Sequence, residues 1–147
     1  MIPLVNYLGY RNRMLKVSFL KLIRSASGGR NGGSSNTSQT MSAAKSFVDE
    51  AIAKNKVAVF SKSYCPYCTK AKDALDSFKI PSDKYYCVEL DKREDCDDIQ
   101  NYLQSITGGR SVPRVFINGE FFGGGDDTAA AKKNGKLEKK LSEVGAI

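Results

Sequence analysis

The sequence predicts an α/β domain built on a four-stranded mixed sheet flanked by helices. Three observations carry this. VAVFS at 57–61 is a short, nearly all-apolar run, the mark of a strand buried on both faces. A helical stripe follows it, and a β-rich run, KYYCVEL at 84–90, follows that, which makes a strand–helix–strand unit. RVFINGEFF at 114–122 then sets two strands around Asn118–Gly119, the strongest short hairpin signal.

The elements follow in order. Ala44, Phe47, Val48, Ala51 and Ile52 recur at helical spacing and predict a leading helix over about residues 42–54. After the first strand, Pro66 suits an opening helical turn, where a missing N–H costs nothing, and Ala71, Ala74, Leu75 and Phe78 extend that helix. Beyond the second strand, Glu94, Asp95, Asp97 and Asp98 crowd the start of another helix, as the helix dipole favours. Its stripe is Ile99, Tyr102, Leu103 and Ile106, and Gly108–Gly109 end it. After the hairpin, GGGDDTAAAKKNGKLEKKL predicts one or two polar helices with a break at Gly135. The predicted core is Phe60, Leu75, Val88, Leu90, Leu103, Ile106, Val115 and Ile117. About 105 folded residues suffice for one compact core.

Charge divides the chain unevenly. It has 147 residues, 23 Lys and Arg against 16 Asp and Glu, four Cys and no His. Residues 1–48 contain no acid, and Arg11, Arg13, Lys16, Lys21, Arg24 and Arg30 carry most of the net charge of +7. From Met41 onward, 17 basic residues face 16 acidic ones. That nearly neutral body has no basic patch interleaved with stacking aromatics, which argues against nucleic-acid binding. Residues 1–27 form an apolar, basic, acid-free leader, and 28–40 a Gly/Ser-rich linker. The leader is too interrupted for a membrane span or a secretory signal and fits a mitochondrial transit peptide. Leu8, Leu15, Phe19 and Leu22 would share a helical face, with Arg11 close to it. A basic tail with no address is the other reading. The expected organisation is a leader over 1–40 and a folded domain over 41–147. The full chain is expected in the mitochondrial matrix, with a cytosolic form starting at Met41.

Chemistry concentrates in SKSYCPYCTKAK at 61–72. Cys65 stands just before the helix that Pro66 opens, where free N–H groups and the dipole favour an anion such as a thiolate. Lys62 adds positive charge. Cys68 falls one turn later on the same face, within disulfide reach and deeper in the helix. The asymmetry assigns attack to Cys65 and resolution to Cys68. A zinc site would need Cys87 and Cys96 as well, and they are not a second C-x-x-C pair, so no metal is predicted. Cys87, mid-strand, reads as a small core hydrophobe and Cys96 as an inert thiol. The absence of His removes Cys–His nucleophilic mechanisms. A C-x-x-C pair beside a β–α unit reads as a redox pair.

Two further stretches are expected to converge on Cys65. GGRSVPRVF places Val112–Pro113 before a strand; a cis Pro113 would present the Val112 backbone to a peptide, and Arg110 offers a carboxylate partner. In FFGGGDDTAAA, Gly123, Gly124 and Gly125 let a ligand approach a helix start. The N–H groups of Gly125 and Asp126 suit a carboxylate, and Asp126 or Asp127 either takes an ammonium or caps the helix. Such a site fits a small zwitterionic thiol peptide, and glutathione has those groups.

CPYC at 65–68, SVPRVFINGEFFGGGDD at 111–127 and the trailing KKNGKL resemble a dithiol glutaredoxin over about residues 42–145. The resemblance implies the thioredoxin fold and glutathione-dependent reduction of protein–glutathione mixed disulfides and protein disulfides by a monomer, with glutathione as co-substrate. It makes Cys65 the nucleophile and Cys68 the resolving thiol. It carries glutathione contacts onto Lys62, Tyr67, Arg110, Val112, Pro113, Gly124, Gly125, Asp126 and Asp127, with Pro113 in cis. The alternatives are a thioredoxin-like reductant and an iron–sulfur carrier dimer that uses Cys65 and glutathione. The proline of CPYC sides with the redox members.

Overall fold

The computed structural model describes residues 36–147, so the expectations on the leader lie outside the described residues. Helix α1 spans Asn36–Lys54, β1 Val57–Ser61, α2 Pro66–Asp76 and β2 Tyr85–Glu89. A 3-10 turn over Leu90–Lys92 leads to α3, Cys96–Thr107. Strands β3, Arg114–Ile117, and β4, Glu120–Gly123, precede α4, Gly125–Lys133, and α5, Lys136–Glu143. The strand order is β2-β1-β3-β4. β1 runs parallel to β2 and antiparallel to β3, which is antiparallel to β4. This is the predicted four-stranded mixed sheet, in the topology of the thioredoxin fold.

The period of two along β1 sorts the core into layers. Val57 and Val59 face α2, α4 and α5 and pack with Ala71, Leu75, Ala131, Leu137 and Leu141. Ala58 and Phe60 face α1 and α3 and pack with Ala44, Val48, Ile99 and Leu103. Phe60 meets Phe116 edge to face, ring centroids 5.7 Å apart. The hairpin turns as its residues demand: Asn118 and Gly119 both take positive φ, 53° and 84°. Gly108 ends α3 and Gly135 separates α4 from α5, each at φ 78°.

The structure departs from expectation at four points. α1 starts at Asn36, upstream of Met41 and inside the stretch read as linker. Residues 38–43 are exposed and carry no apolar stripe, but no Gly or Pro interrupts them, so the helix propagates past its buried face. Phe78 lies beyond the end of α2 yet still packs on the core. Ile106 is 42 % exposed, because the buried face of α3 is centred on Ile99, Gln100 and Leu103 and turns away from it. Val88 is only half-buried, as is every residue of its strand, because β2 is an edge.

α1 is held to α3 by polar contacts as well as by its apolar face. The Tyr102 hydroxyl donates to Asp49 at 2.6 Å, and the Lys45 ammonium reaches both, at 2.8 Å and 3.0 Å. Arg93 forms a two-pronged bond to Asp95 and stacks its guanidinium 3.9 Å from the Phe47 ring centroid.

Candidate active site

The sheet topology brings three loops to one end. β1 ends at Ser61, directly before the C-x-x-C turn. β3 runs the opposite way with Arg114 opposite Phe60, so the loop that precedes it arrives beside that turn. β4 ends at Gly123 opposite Val115, which sets the start of α4 at the same end.

Cys65 caps α2. Its backbone is extended, φ −92° and ψ 117°, and its sulfur accepts the Cys68 N–H at 3.3 Å, one of the donors a helix start leaves free. Pro66 occupies the first turn. The Cys65 thiol also faces the Val112 carbonyl at 3.7 Å, and the Val112–Pro113 peptide is cis, as expected. Cys65 is partly exposed and Cys68 fully buried. The Cys68 sulfur accepts the Lys62 N–H at 3.5 Å. Burial, then the hydrogen bond with Cys65, pushes the Cys68 thiol up to about 11. All four cysteines are in the free form.

The turn itself is fastened from outside. The Cys65 N–H closes it onto the Lys62 carbonyl at 3.2 Å. Asp91 accepts the Ser63 N–H at 2.9 Å and the Ser63 hydroxyl. These bonds, the hydroxyl's first, hold the Asp91 carboxyl below the usual carboxylate range. A depressed folded pKa stabilises the fold above the unfolded value, about 3.9, and that contribution is lost as pH falls through the folded value. Urea midpoints of the wild type and Asp91→Asn are therefore expected to differ near neutrality and to converge in acid. A gap that stays constant down to about pH 2 would contradict this.

At the third loop, Asp127 accepts the Gly124 N–H at 3.0 Å, so it caps α4. Asp126 pairs instead with Lys70 of α2 at 2.9 Å, both side chains being exposed, and Lys70 leans over the Tyr67 ring, 5.3 Å from its centroid. Gly125 is buried against the Tyr67 backbone. Tyr67 itself is 53 % exposed beside the sulfur. The structure thus gathers Cys65, Cys68, Lys62, Tyr67, Val112, Pro113, Gly124, Gly125, Asp126 and Asp127 at one end of the sheet. Arg110 differs: its guanidinium is turned to Asp97 of α3 at 2.8 Å, and its carbonyl takes the Gln100 amide at 3.0 Å.

A family model described as "Glutaredoxin" matches residues 57–122. Glutaredoxin-C4 of Arabidopsis thaliana is 49 % identical over 100 residues, which span 67 % of this chain and 71 % of that one. The chain belongs to the glutaredoxin family. Among solved structures, oxidized glutaredoxin 2 from Chlamydomonas reinhardtii is 61 % identical with a TM-score of 0.69, over 73 % of this glutaredoxin and 98 % of that chain. A buckwheat glutaredoxin–glutathione complex is 38 % identical with a TM-score of 0.68, over 74 % and 96 %. This glutaredoxin is accordingly a glutathione-dependent thiol oxidoreductase.

Sequence reasoning missed several residues that shape the site. Asp91 acts from a turn 28 positions after Ser63. Ser61 is the polar end of an otherwise apolar strand and is fully buried, a signal present in the sequence. Arg114 donates to the Gly109 carbonyl at 3.0 Å and lies over the Phe121 ring, which braces the loop carrying Val112. Cys87 is half-buried at the sheet edge, its thiol pushed up by burial, and the Cys96 sulfur lies 3.5 Å from the Gln100 side-chain oxygen. Among the described residues no group of three or more His, Cys, Asp or Glu is placed to hold a metal ion.

Proposed function

We propose that this glutaredoxin reduces protein–glutathione mixed disulfides through Cys65 alone and protein disulfides through Cys65 and Cys68 together. The observation that carries the reading is the inequality of the two sulfurs. Cys65 lies at the helix start, open to solvent, with the Cys68 N–H directed at its sulfur; Cys68 is buried one turn below. The first sulfur is reachable and has a backbone donor aimed at it, while the second reacts only with what is already attached to the first.

The Cys65 thiolate attacks the glutathione sulfur of a mixed disulfide, and the protein thiol leaves. A second glutathione attacks the sulfur now bound to Cys65 and releases glutathione disulfide. With an internal protein disulfide, Cys65 forms the mixed disulfide and Cys68 displaces the reduced product. The glutathione carboxylates are matched to the free N–H groups at the start of α4 and to Arg110 once it exchanges Asp97 for them. The Val112 backbone is matched to the glutathione peptide, and Asp126 to its ammonium in competition with Lys70. Lys62 and Tyr67 line the approach to the sulfur. The protein acts as a monomer.

Cys68→Ser is expected to keep mixed-disulfide turnover and to lose reduction of internal disulfides, both followed with glutathione as the only reductant. Loss of both activities in that variant would refute the division of labour.

We further propose that residues 1–40 direct the full chain to the mitochondrial matrix and that a form starting at Met41 stays cytosolic. The support is the acid-free, Arg-rich composition of the leader. Fluorescent fusions of 1–147 and 41–147 are expected to localise differently; identical diffuse patterns would count against targeting.

A further inference from the structure

The segments that leave β1 and β2 stay side by side past the sheet. The two strands are parallel, and Ser61 is the register partner of Glu89. Equal advance along parallel neighbours keeps later residues opposite as well. Two positions further along each segment, Ser63 meets Asp91: Oδ1 accepts the Ser63 N–H at 2.9 Å and Oδ2 the Ser63 hydroxyl. Asp91 is itself firmly set. It lies in the 3-10 turn over Leu90–Lys92, where Leu90 is fully buried in the layer with Val48, Ile99 and Leu103. The Arg93 N–H closes that turn on the Leu90 carbonyl at 3.1 Å.

Between this clamp and the end of β1 stands one residue, Lys62, and both of its backbone polar groups face the C-x-x-C turn. Its N–H donates to the Cys68 sulfur at 3.5 Å. Its carbonyl accepts the Cys65 N–H at 3.2 Å and the Ser61 hydroxyl at 3.5 Å. The two sulfurs therefore depend on different supports. Cys65 is held by α2 itself: its carbonyl takes the Thr69 N–H at 3.1 Å and the Thr69 hydroxyl at 3.3 Å, and its sulfur takes the Cys68 N–H. Cys68 receives a backbone donor from outside α2, on the segment that Asp91 fastens.

A buried thiol must shed its proton and take on negative charge to attack, and a donor aimed at its sulfur favours that charge. We infer that Asp91 is a positioning residue for the resolving step: through Ser63 it holds the Lys62 N–H on the Cys68 sulfur. The inference rests on the reading of Cys68 as the resolving thiol. In that step the Cys68 proton leaves to water and the Cys68 sulfur bonds to the Cys65 sulfur. The bond from Cys65 to the substrate sulfur breaks, and the substrate sulfur leaves with the electron pair and takes a proton from water. Cys65 and Cys68 end oxidised, the substrate ends reduced, and no further oxidant enters. The Lys62 N–H keeps its own proton throughout and steadies the charge on Cys68 before the new bond forms. Turnover of glutathione mixed disulfides needs no charge on Cys68 and so does not need the clamp.

The test is an acid-quenched single turnover with a cyclic disulfide peptide. Mass spectrometry follows the mixed disulfide on Cys65 and its decay to free dithiol peptide. Asp91→Ala is expected to slow that decay about tenfold, near the lower end of what a hydrogen bond to a charged group is worth, while glutathione mixed-disulfide turnover stays within about twofold. Ser63→Ala keeps the N–H contact and loses the hydroxyl one, so a loss of about threefold is expected. Ser63→Thr keeps both and is expected to stay within about twofold of the wild type. Amide hydrogen exchange reads the donor itself: protection of the Lys62 N–H is expected to fall in Asp91→Ala, while that of Thr69, inside α2, is kept. An unchanged decay of the mixed disulfide in Asp91→Ala overturns the inference. So does a parallel fall of both activities in that variant, which marks a structural role, and so does a slow decay with Lys62 protection intact. A loss in Ser63→Thr as large as that in Asp91→Ala overturns it as well. Cys68→Ser separates the two levels. If it still reduces the cyclic peptide, the resolving-thiol reading fails and the inference with it; if it does not while Asp91→Ala resolves normally, only the role of Asp91 falls.

Discussion

Cys65→Ser is expected to abolish turnover of both glutathione mixed disulfides and internal protein disulfides, down to the uncatalysed rate. Both proposed routes pass through one bond to the Cys65 sulfur, and nothing else at that end of the sheet can form it. Cys68 is fully buried, and its thiol is held in the protonated form by that burial. Cys87 sits on the far edge strand, and Cys96 opens α3. The serine hydroxyl still fits the capping position and accepts the Cys68 N–H, since Ser is a favoured N-cap residue. Stability is therefore expected to hold while activity disappears, so the urea midpoint serves as the control for the kinetic assay. Substantial turnover in a well-folded Cys65→Ser variant would show that another thiol is the nucleophile.

The parts of this site that could be read in the sequence are those set by local backbone chemistry. Pro66 after a buried strand marks where the helix starts and so puts Cys65 at its cap. Asn118–Gly119 dictates a tight hairpin and with it the antiparallel return of β4. Those two facts, with the strand–helix–strand unit, bring the Val112–Pro113 loop and the Gly123–Gly125 turn to the sulfur. The parts that could not be read depend on neighbours far along the chain. Arg110 faces Asp97 because the first turn of α3 happens to lie within its reach. Asp91 holds Ser63, and Glu89 lies beside Ser61, only because β1 and β2 pair in one particular parallel register. The same holds for burial. The α3 stripe runs Ile99, Tyr102, Leu103 and Ile106, yet Gln100 takes the buried place and Ile106 the exposed one. Periodicity defines a face to within about one residue, and the packing partner chooses the rest.

The second large effect is expected at Gly125, and it links the packing of the fold to the sulfur. A Cβ there would overlap the Tyr67 carbonyl oxygen, with the carbonyl carbon 2.9 Å and the Tyr67 Cβ 3.0 Å away. The obstacle is backbone inside the first turn of α2, between Cys65 and Cys68, and it cannot move without moving the turn. Its neighbour Gly124 is different: a Cβ there meets the Pro113 carbonyl at 3.7 Å and Asp127 Oδ2 at 3.8 Å, both ordinary contacts. Replacing Gly by Ala gains about 0.4–1 kcal/mol from the unfolded chain where the site has room. Overpacking costs about 1–3 kcal/mol where it does not. The cost wins at position 125, and a β-branched residue adds two more atoms to it. Gly125→Val is thus expected to lose about 3 kcal/mol, the upper end of that range, and Gly124→Ala to stay within about 0.5 kcal/mol of the wild type. Urea denaturation reads both. Because the strain falls on the turn that aims the Cys68 N–H at Cys65, Gly125→Val is also expected to slow alkylation of Cys65 at temperatures where it remains folded. Equal midpoints for the two variants would show that α4 can back away from α2, and that the close approach at Gly125 is no requirement of the site.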